Sequence, residues 1–521
     1  MDRISTSQMN SRGSQAILDR QASAIKTQLQ LASGKRMLTP ADDPSASAAV
    51  VTLNQTLASM SQYSRNSDFA TSRLQQEETA VASAETLLQR VRELTLLGIN
   101  ASQTPETRSS TADEIDLLLQ DLLGLANSKD ATGSFLFAGY QDKTQPFTEN
   151  PDGSFSYLGD TGRRMVQISD TRQIASHDSG RDVFMDIASG NRTFEVAGNS
   201  SNQGTGVIDP GWVSNPSAYD QDDYTILFPV TTEATASLTF NDVIGTDDTL
   251  QYDLEINGTT VYSVDETSTA INSLADLADQ INLSVSTTGV RAYVDNGQLL
   301  LSAEPGTDSI EITESIVGAS ATDGDEITGY FGAVLNGDSN PSQSITYDSE
   351  AAEQFLVVDS DFNIETSGAY QENARISFSG IYTDIKGEPN NHDRFSITPS
   401  VSQDLFTTVS NLAQAVRTAG GVSAAERAHV QNIINRELTN LDRGMQSLDD
   451  TRAGIGSRLS TIDAQVEVNE AFEISIMERR SELEDLDFVE AISRFNLERT
   501  ALEAAQSTYV KMQGLSLFNL L

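Results

Sequence analysis

The chain has 521 residues, no cysteine, and 75 acidic against 33 basic side chains, for a formal net charge of −42. That length exceeds one hydrophobic core and asks for several domains, while the charge repels nucleic acid and anionic membrane surfaces, so neither is expected as a partner. Disulfides, thiol catalysis and cysteine-ligated metals are excluded; no apolar run approaches the ~20 residues that span a bilayer, and MDRISTSQMNSRGSQ lacks the apolar centre of a cleaved leader.

In chain order, Leu18, Ala22, Ile25, Leu29 and Ala32 fall at heptad spacing and predict a first amphipathic helix within residues 1–38. Thr39-Pro40-Ala41-Asp42-Asp43-Pro44 interrupts it, since both prolines disfavour continuation. A second helix starts in SASAAVVTLNQTLASMSQY and carries Leu74, Val81 and Leu88 in one row beside Ala84 and Val91. Gly98 and Pro105 close it, and Thr111 with Glu114 reads as the capping box of a short helix bearing Ile115, Leu118, Leu119 and Leu122. These thin stripes predict the N-terminal half of a helical rod domain over 39–147.

From Thr132 the pattern turns to strands. TGSFLFAGYQDKTQPF has aromatic alternation with glycines and a proline, and the sequence up to Pro399 is rich in Gly, Asn, Asp, Ser and Thr. Neither the stretch from Arg192 to Arg291 nor that from Arg291 to Arg375 contains a further Lys or Arg, which predicts a solvated acidic surface. LQYDLEI and TTVYSV flank Asn257-Gly258, RAYVD and QLLLSA flank Asn296-Gly297, and SLADLADQINLS between them has one apolar helix face. The two dipeptides are type I′ hairpin turns by composition, so a ββαββ module is expected over 235–315. It interrupts a β-rich domain whose parts are 148–234 and 316–400; Gly198 to Tyr219 reads as loop.

Helices return at Gln403. Gly420-Gly421 ends one, Ser423 with Glu426 opens the next, and Ile434, Leu438, Leu441, Met445, Leu448, Ile455, Leu459, Ile462 and Val466 form one long stripe, mildly interrupted by Gly454 and Gly456. This is the C-terminal half of the rod, 401–487. The last segment, 488–521, carries Phe488, Ile492, Phe495, Leu502, Ala505, Tyr509 and Met512 on one seam; Gly514 is expected to break the helix before LSLFNLL. The predicted fold is multidomain α + β: an elongated α-helical coiled-coil rod formed by the N- and C-terminal segments, with inserted β-rich outer domains. The terminal helices pair with each other and with those of neighbouring molecules. The residues assigned to self-assembly are Leu18, Ile25 and Leu29 against Phe495, Leu502, Tyr509 and Met512, with Leu515, Leu517 and Phe518 in the tail. The plain alternative is that both helices cover an ordinary core.

Little chemistry is legible. His177, His392 and His429 share no motif and read as surface residues; there is no phosphate-binding loop, nucleophile elbow or HExxH. Asp247-Asp248 and Asp323-Gly324-Asp325-Glu326 lack the spaced carboxylates of a calcium loop. No catalytic residue, metal or cofactor is expected, and the chain is not expected to be an enzyme.

RISTSQMN, QLQLASGKRMLTPADDPSASAAV, GSFLFAGYQDKTQPF and the ending DLDFVEAISRFNLERTALEAAQSTYVKMQGLSLFNLL resemble the flagellin superfamily, and within it the hook-associated proteins. Weaker likeness extends into SYLGDTGRRMVQIS, GRDVF and DRFSITPS, and the ββαββ module is similar to an insertion found in that family. The resemblance implies a nonenzymatic structural subunit of the bacterial flagellum at the hook–filament junction, secreted through the flagellar type III channel with a dedicated export chaperone. It implies a homo-oligomeric ring between the first hook-associated protein and flagellin. Alternatives are a flagellin-type filament subunit, a secreted enzyme, or an adhesin whose insert binds glycans through an aromatic patch at Trp212, Tyr219 and Tyr224.

Overall fold

In a computed structural model of the chain, residues 6–518 are described, apart from 242–249, 266–269, 308, 318–325 and 337–339; the side chains of 6, 7, 9, 10, 241 and 512–518 are also outside the description. The helices are α1 (Thr6–Ser33), α2 (Pro44–Gly98), α3 (Pro105–Ala126), α4 (Leu274–Asn282), α5 (Val285–Thr288), α6 (Leu405–Thr418), α7 (Ala424–Glu484) and α8 (Phe488–Phe518). Contacts divide the chain into two units. One holds 1–75, 164–176 and 455–521, and the other holds 76–163 and 177–454.

In the first unit, α1 ends before the TPADDP segment. Gly34 adopts φ +68°, the left-handed conformation that closes a helix without a Cβ penalty. The turn that follows is held by side chains. Asp42 accepts the N–H groups of Leu38 and Thr39 at 3.0 and 2.9 Å and pairs with Lys26 of α1 at 2.6 Å. Asp43 accepts the Ala46 N–H at 3.0 Å and so caps α2, which has Pro44 in its first turn. The motif is thus a clasp between two helices. Further along, Ala70 and Leu74 of α2 pack with Ile455 and Ile462 of α7 and with Ile168 and Ile174 of the hairpin Met165–Gln167/Gln173–Ala175. Asn66 and Asn469 donate to the carbonyls of Gln167 and Ile168, so polar side chains seat the hairpin.

In the second unit the predicted heptad rows form the helical core. Val81, Ala84, Leu88 and Val91 are buried with Ile115, Leu119 and Leu122 of α3, Phe406, Val409, Leu412 and Val416 of α6, and Leu441 and Leu448 of α7. The SFLFAGY…PF segment adds aromatics to this cluster: Phe137 and Phe147 meet Phe184 edge-on at 5.1 and 5.5 Å, and Phe147 lies 5.3 Å from Phe406. Gly98 does end α2, where the Arg108 Nε donates to its carbonyl at 3.1 Å. The cap expected at Thr111 lies elsewhere. α3 begins two turns earlier, with Thr104 and Thr107 exchanging side-chain bonds and Pro105 in the first turn, while the Thr111 hydroxyl donates to the Thr107 carbonyl inside the helix. Thr-Pro is the stronger start signal because proline's missing N–H costs nothing there. The Ser423–Glu426 box opens α7 as expected, and Gly454 and Gly456 leave that helix unbroken.

The β-rich part contains a five-stranded sheet ordered Ile364–Ala369, Gln354–Val358, Tyr224–Leu227, Arg394–Pro399 and Phe194–Gly198, all antiparallel. Most of 198–219 is loop, but Val207–Ile208 and Trp212–Val213 pair with Ile381–Lys386. Two buried asparagines of α7 tie this region to the helix. Asn432 accepts the Ile208 N–H and donates to the Gly206 carbonyl, and Asn440 accepts the Gly190 N–H at 2.7 Å.

Both Asn-Gly turns have the type I′ backbone, with φ of 49° and 73° at Asn257 and Gly258 and of 48° and 78° at Asn296 and Gly297. The two hairpins, however, enter different sheets. Thr259–Asp265 and Gln251–Ile256 continue into Ser309–Val317 and Ser342–Asp348, whereas Val290–Asp295 and Gln298–Ala303 pair with Val230–Thr231. α4 packs Leu277, Ala278 and Ile281 into their common core, which runs from Val230 to Tyr347. In that core Glu314 is 1 % exposed. It accepts from the Tyr252 hydroxyl and from the N–H groups of Phe331 and Ala333, each at 3.1 Å.

The histidines depart from expectation. His177 is fully buried with Nδ1 against the Asp178 carbonyl, and His392 is largely buried and takes the Ala303 N–H on Nδ1 at 3.3 Å. Each is seated by backbone groups, a role that no side-chain motif announces. The aromatic patch is not formed either: Trp212 is 53 % exposed and stacks on Tyr382, but Tyr219 and Tyr224 lie in the core at 9 % and 1 %. Asp247, Asp248 and 323–325 fall outside the described residues.

Two outcomes are expected. Burial pushes the Glu314 carboxyl above its ordinary 4.5, outweighing the three bonds that hold it down. The folded module therefore binds this proton more tightly than the unfolded chain does, and its stability should rise as pH falls through the raised value towards 4.5. Thermal unfolding across that window should show a larger rise in the native chain than in Glu314→Gln, and Glu314→Ala should cost about 3 kcal/mol by stranding three donors. At the clasp, the Lys26 ammonium first, and then the Thr39 N–H, hold Asp42 at about 2, below its ordinary 3.8. Its contribution is present above 3.8 and lost as pH falls through about 2. Exchange of the Leu38 and Thr39 amides, corrected for intrinsic rate, should accelerate only below about pH 3, and in Asp42→Ala, which removes the acceptor, it should be fast throughout.

Candidate assembly surface

α1 and α8 pack against each other in the first unit. Two contacts fix their direction: Gly13 faces the Tyr509 ring, and Gly34 faces the Phe488 ring. Going up α1 is going down α8, so the pair is antiparallel. A Cβ on residue 13 would lie 2.9 Å from Tyr509 Cδ2; the glycine is what lets the ring approach. At the other end the chain forms a short ladder, with the Arg36 N–H on the Glu484 carbonyl, the Leu486 N–H on the Gly34 carbonyl, and a Lys35–Glu484 ion pair.

The inner face of α8 follows the predicted seam from Phe495 to Tyr509, but its first members, Phe488 and Ile492, are 51 % and 50 % exposed. Ala491 is buried, and Phe495, Leu502, Ala505 and Tyr509 are half-buried at three- and four-residue spacing. The inner face of α1 does not. Its covered positions are Gly13, Ile17, Ala24, Thr27, Gln30 and Leu31. Leu18, Ile25 and Leu29, expected against α8, remain 61 %, 48 % and 53 % exposed. At about 100° per residue they lie roughly 100–140° round the helix from Ala24. Small residues allow the helices to approach closely, so the α8 seam seats on Gly13 and Ala24 rather than on the larger leucines. α1 thus carries two stripes, one of them covered within the chain.

Met512, Leu515, Leu517 and Phe518 belong to α8, but their side chains are outside the described set. Gly514 does not break the helix, which runs on to Phe518; one glycine costs about 1 kcal/mol, and its neighbours Met, Gln and Leu are good helix formers. α8 also exposes Phe488, Val489, Ile492, Leu497 and Val510, and the last part of α7 exposes Val468, Phe472, Ile474 and Met477. More than half of the large exposed apolar side chains among the described residues lie in this unit, which holds under a third of the chain. Among the described residues no group of three His, Asp or Glu is placed to hold a metal, and no helix is long and apolar enough to cross a membrane.

Comparison with known proteins follows the same layout. The family model of the bacterial flagellin N-terminal helical region matches residues 4–142, that of the flagellin C-terminal helical region matches 438–521, and the flagellin hook IN motif matches 253–304. Flagellar hook-associated protein 3 of Escherichia coli (strain K12) is 33 % identical over 199 residues, which are 38 % of this chain and 62 % of that protein. Its counterpart from Salmonella typhimurium is 32 % identical over 187 residues, 36 % and 58 % of the two chains. The chain therefore matches about three-fifths of the length of these curated relatives. A flagellin of Listeria monocytogenes is 31 % identical over 103 residues, 20 % of this chain and 36 % of that one. The crystal structure of flagellar hook-associated protein-3 from Legionella pneumophila superposes with a TM-score of 0.56 at 21 % identity, covering 83 % of this chain and 98 % of that one. FlgL of Xanthomonas campestris gives 0.55 at 20 % identity, covering 82 % and 99 %. These two likenesses establish a shared fold. The chain carries both terminal helical regions and the hook motif of the flagellin superfamily, in their order along the sequence, and is similar, among its curated relatives, to hook-associated protein 3.

Proposed function

We propose that the chain is a structural subunit of the bacterial flagellum that joins hook to filament and assembles through its terminal helices. The observation that carries this reading is the second stripe of α1. A helix with one apolar stripe needs one partner; α1 has two stripes, and α8 covers only one. Fully burying a leucine or isoleucine contributes about 1.5–3 kcal/mol, so covering the exposed halves of Leu18, Ile25 and Leu29 gains several kcal/mol per subunit before association entropy is subtracted. Ring closure around an axis repeats that gain in every copy. Phe495, Leu502 and Tyr509 act one step back, by holding α1 in place, and Met512, Leu515, Leu517 and Phe518 are assigned to self-assembly from their place in the sequence of the seam and tail.

On this reading the partners are further copies in a ring, the first hook-associated protein on the hook side, flagellin on the filament side, and an export chaperone that covers the apolar ends before secretion. The location is the extracellular flagellum. The role is nonenzymatic, with 1–38 and 488–521 as assembly helices, 39–147 and 401–487 as the helical domain, 148–234 and 316–400 as the β-rich domain, and 235–315 as its inserted module. The Listeria likeness supports a filament subunit as second reading, over a shorter stretch than either hook-associated relative.

The triple variant Leu18→Ser, Ile25→Ser, Leu29→Ser separates surface from core. Since the three side chains already face outward, its monomer should unfold within about 1 kcal/mol of the native chain, yet cells carrying it should secrete the protein and fail to retain filaments. Hydrogen exchange on the native protein should show α1 and α8 slowed in flagella relative to the monomer. Equal protection in both states, or a triple variant that supports normal filaments, would falsify the assembly mechanism.

A further inference from the structure

Two Asn-Gly turns of the same backbone type sit in the inserted module, and their side chains are held very differently. On neither glycine would a Cβ find any heavy atom within 4 Å, so both turn tips are equally open. The Asn257 amide is tied at both ends: Nδ2 donates to the Thr288 carbonyl at 2.8 Å, and Oδ1 accepts the Glu311 N–H at 2.9 Å. Its own N–H also reaches the Glu311 carbonyl at 2.8 Å. Asn296 is exposed, and its one side-chain bond among the described residues runs from Nδ2 to the neighbouring Asp295 carboxylate at 3.0 Å.

We propose that Asn296 is a site of spontaneous deamidation and that the anchored amide of Asn257 protects the matching turn. The Gly297 nitrogen attacks Cγ of Asn296, the Cγ–Nδ2 bond breaks, and ammonia leaves with the proton given up by the Gly297 N–H. The cyclic imide so formed takes up one water, which opens it at either carbonyl to aspartate or isoaspartate; nothing is oxidised or reduced. Glycine leaves the attacking nitrogen unshielded in both turns. The difference lies in Cγ, which at Asn257 can reorient only after two hydrogen bonds to other segments break.

The product has consequences for the fold. Either form adds a negative charge beside Asp295, and isoaspartate lengthens the backbone at the tip of Val290–Asp295/Gln298–Ala303. That hairpin packs Tyr293 and Leu300 against Leu227, Leu356 and Val358 of the five-stranded sheet. Conversion accumulates with time, so it would record the age of a molecule.

The test is peptide mapping by mass spectrometry of the full-length protein, held for days at mildly alkaline pH, folded in one arm and in denaturant in the other. In the folded arm Asn296 should convert roughly tenfold faster than Asn257, the factor expected for two added hydrogen bonds; in denaturant the two rates should converge. Equal folded rates overturn the proposal. So does a difference that persists in denaturant, which would trace it to sequence rather than anchoring, and so does an inert Asn296 in a folded chain whose denatured form reacts at both positions.

Discussion

The antiparallel contact of α1 with α8 is the constraint on which the first unit depends. It brings the two ends of a long chain into register, and it does so through an absence: with no side chain at Gly13, the ring of Tyr509 can lie against the α1 backbone. Close approach uses up the small face of α1 and leaves the leucine face outward. A pairing that buried the larger residues would have left Leu18, Ile25 and Leu29 covered within the chain. The clasp at 34–43 then fixes where α2 must begin, because Asp42 and Asp43 serve α1 and α2 from adjacent positions.

Local chemistry was legible. The rows Leu74–Val91 and Ile434–Val466, the Ser423–Glu426 box and both type I′ turns follow from periodicity, capping and the tolerance of Asn and Gly for positive φ. Pairing between distant segments was not. The covered face of α1 is made of Gly, Ala, Thr and Gln as much as of Ile and Leu, so a count of apolar residues selects the wrong stripe. Two hairpins with identical turns gave no hint that they enter separate sheets, since that is decided by the strands at Val230–Thr231 and Ser309–Val317. The α3 cap was misplaced because a Thr-x-x-Glu pattern also occurs inside the helix.

Buried polar groups were the largest omission. Nothing in the local sequence marks Glu314, Glu437, Asn432 or Asn440 for the interior, yet each is fully or almost fully buried. They satisfy groups contributed from far along the chain: Glu437, for instance, receives the amides of Gln403 and Asn411. Such residues stabilise modestly when paired and cost heavily when stranded. Their contribution is to specify one arrangement among several that would bury similar apolar area.

The way α7 meets the β-rich region has a consequence for how this chain can be recombined. Asn432 and Asn440 engage the backbone at Gly190, Gly206 and Ile208 along a path that glycines keep open: a Cβ at Gly198 would lie 2.9 Å from Asn432 Nδ2, and one at Gly206 2.8 Å from the Phe395 ring. A joint of this kind constrains the residues on that path and makes no direct demand on those beyond it. The helix can be kept while sequence beyond the joint is replaced, provided that the replaced segment enters and leaves along the same track. The joint works as a standard socket, and chimaeras cut on either side of it are the natural route to exchanging one exterior for another.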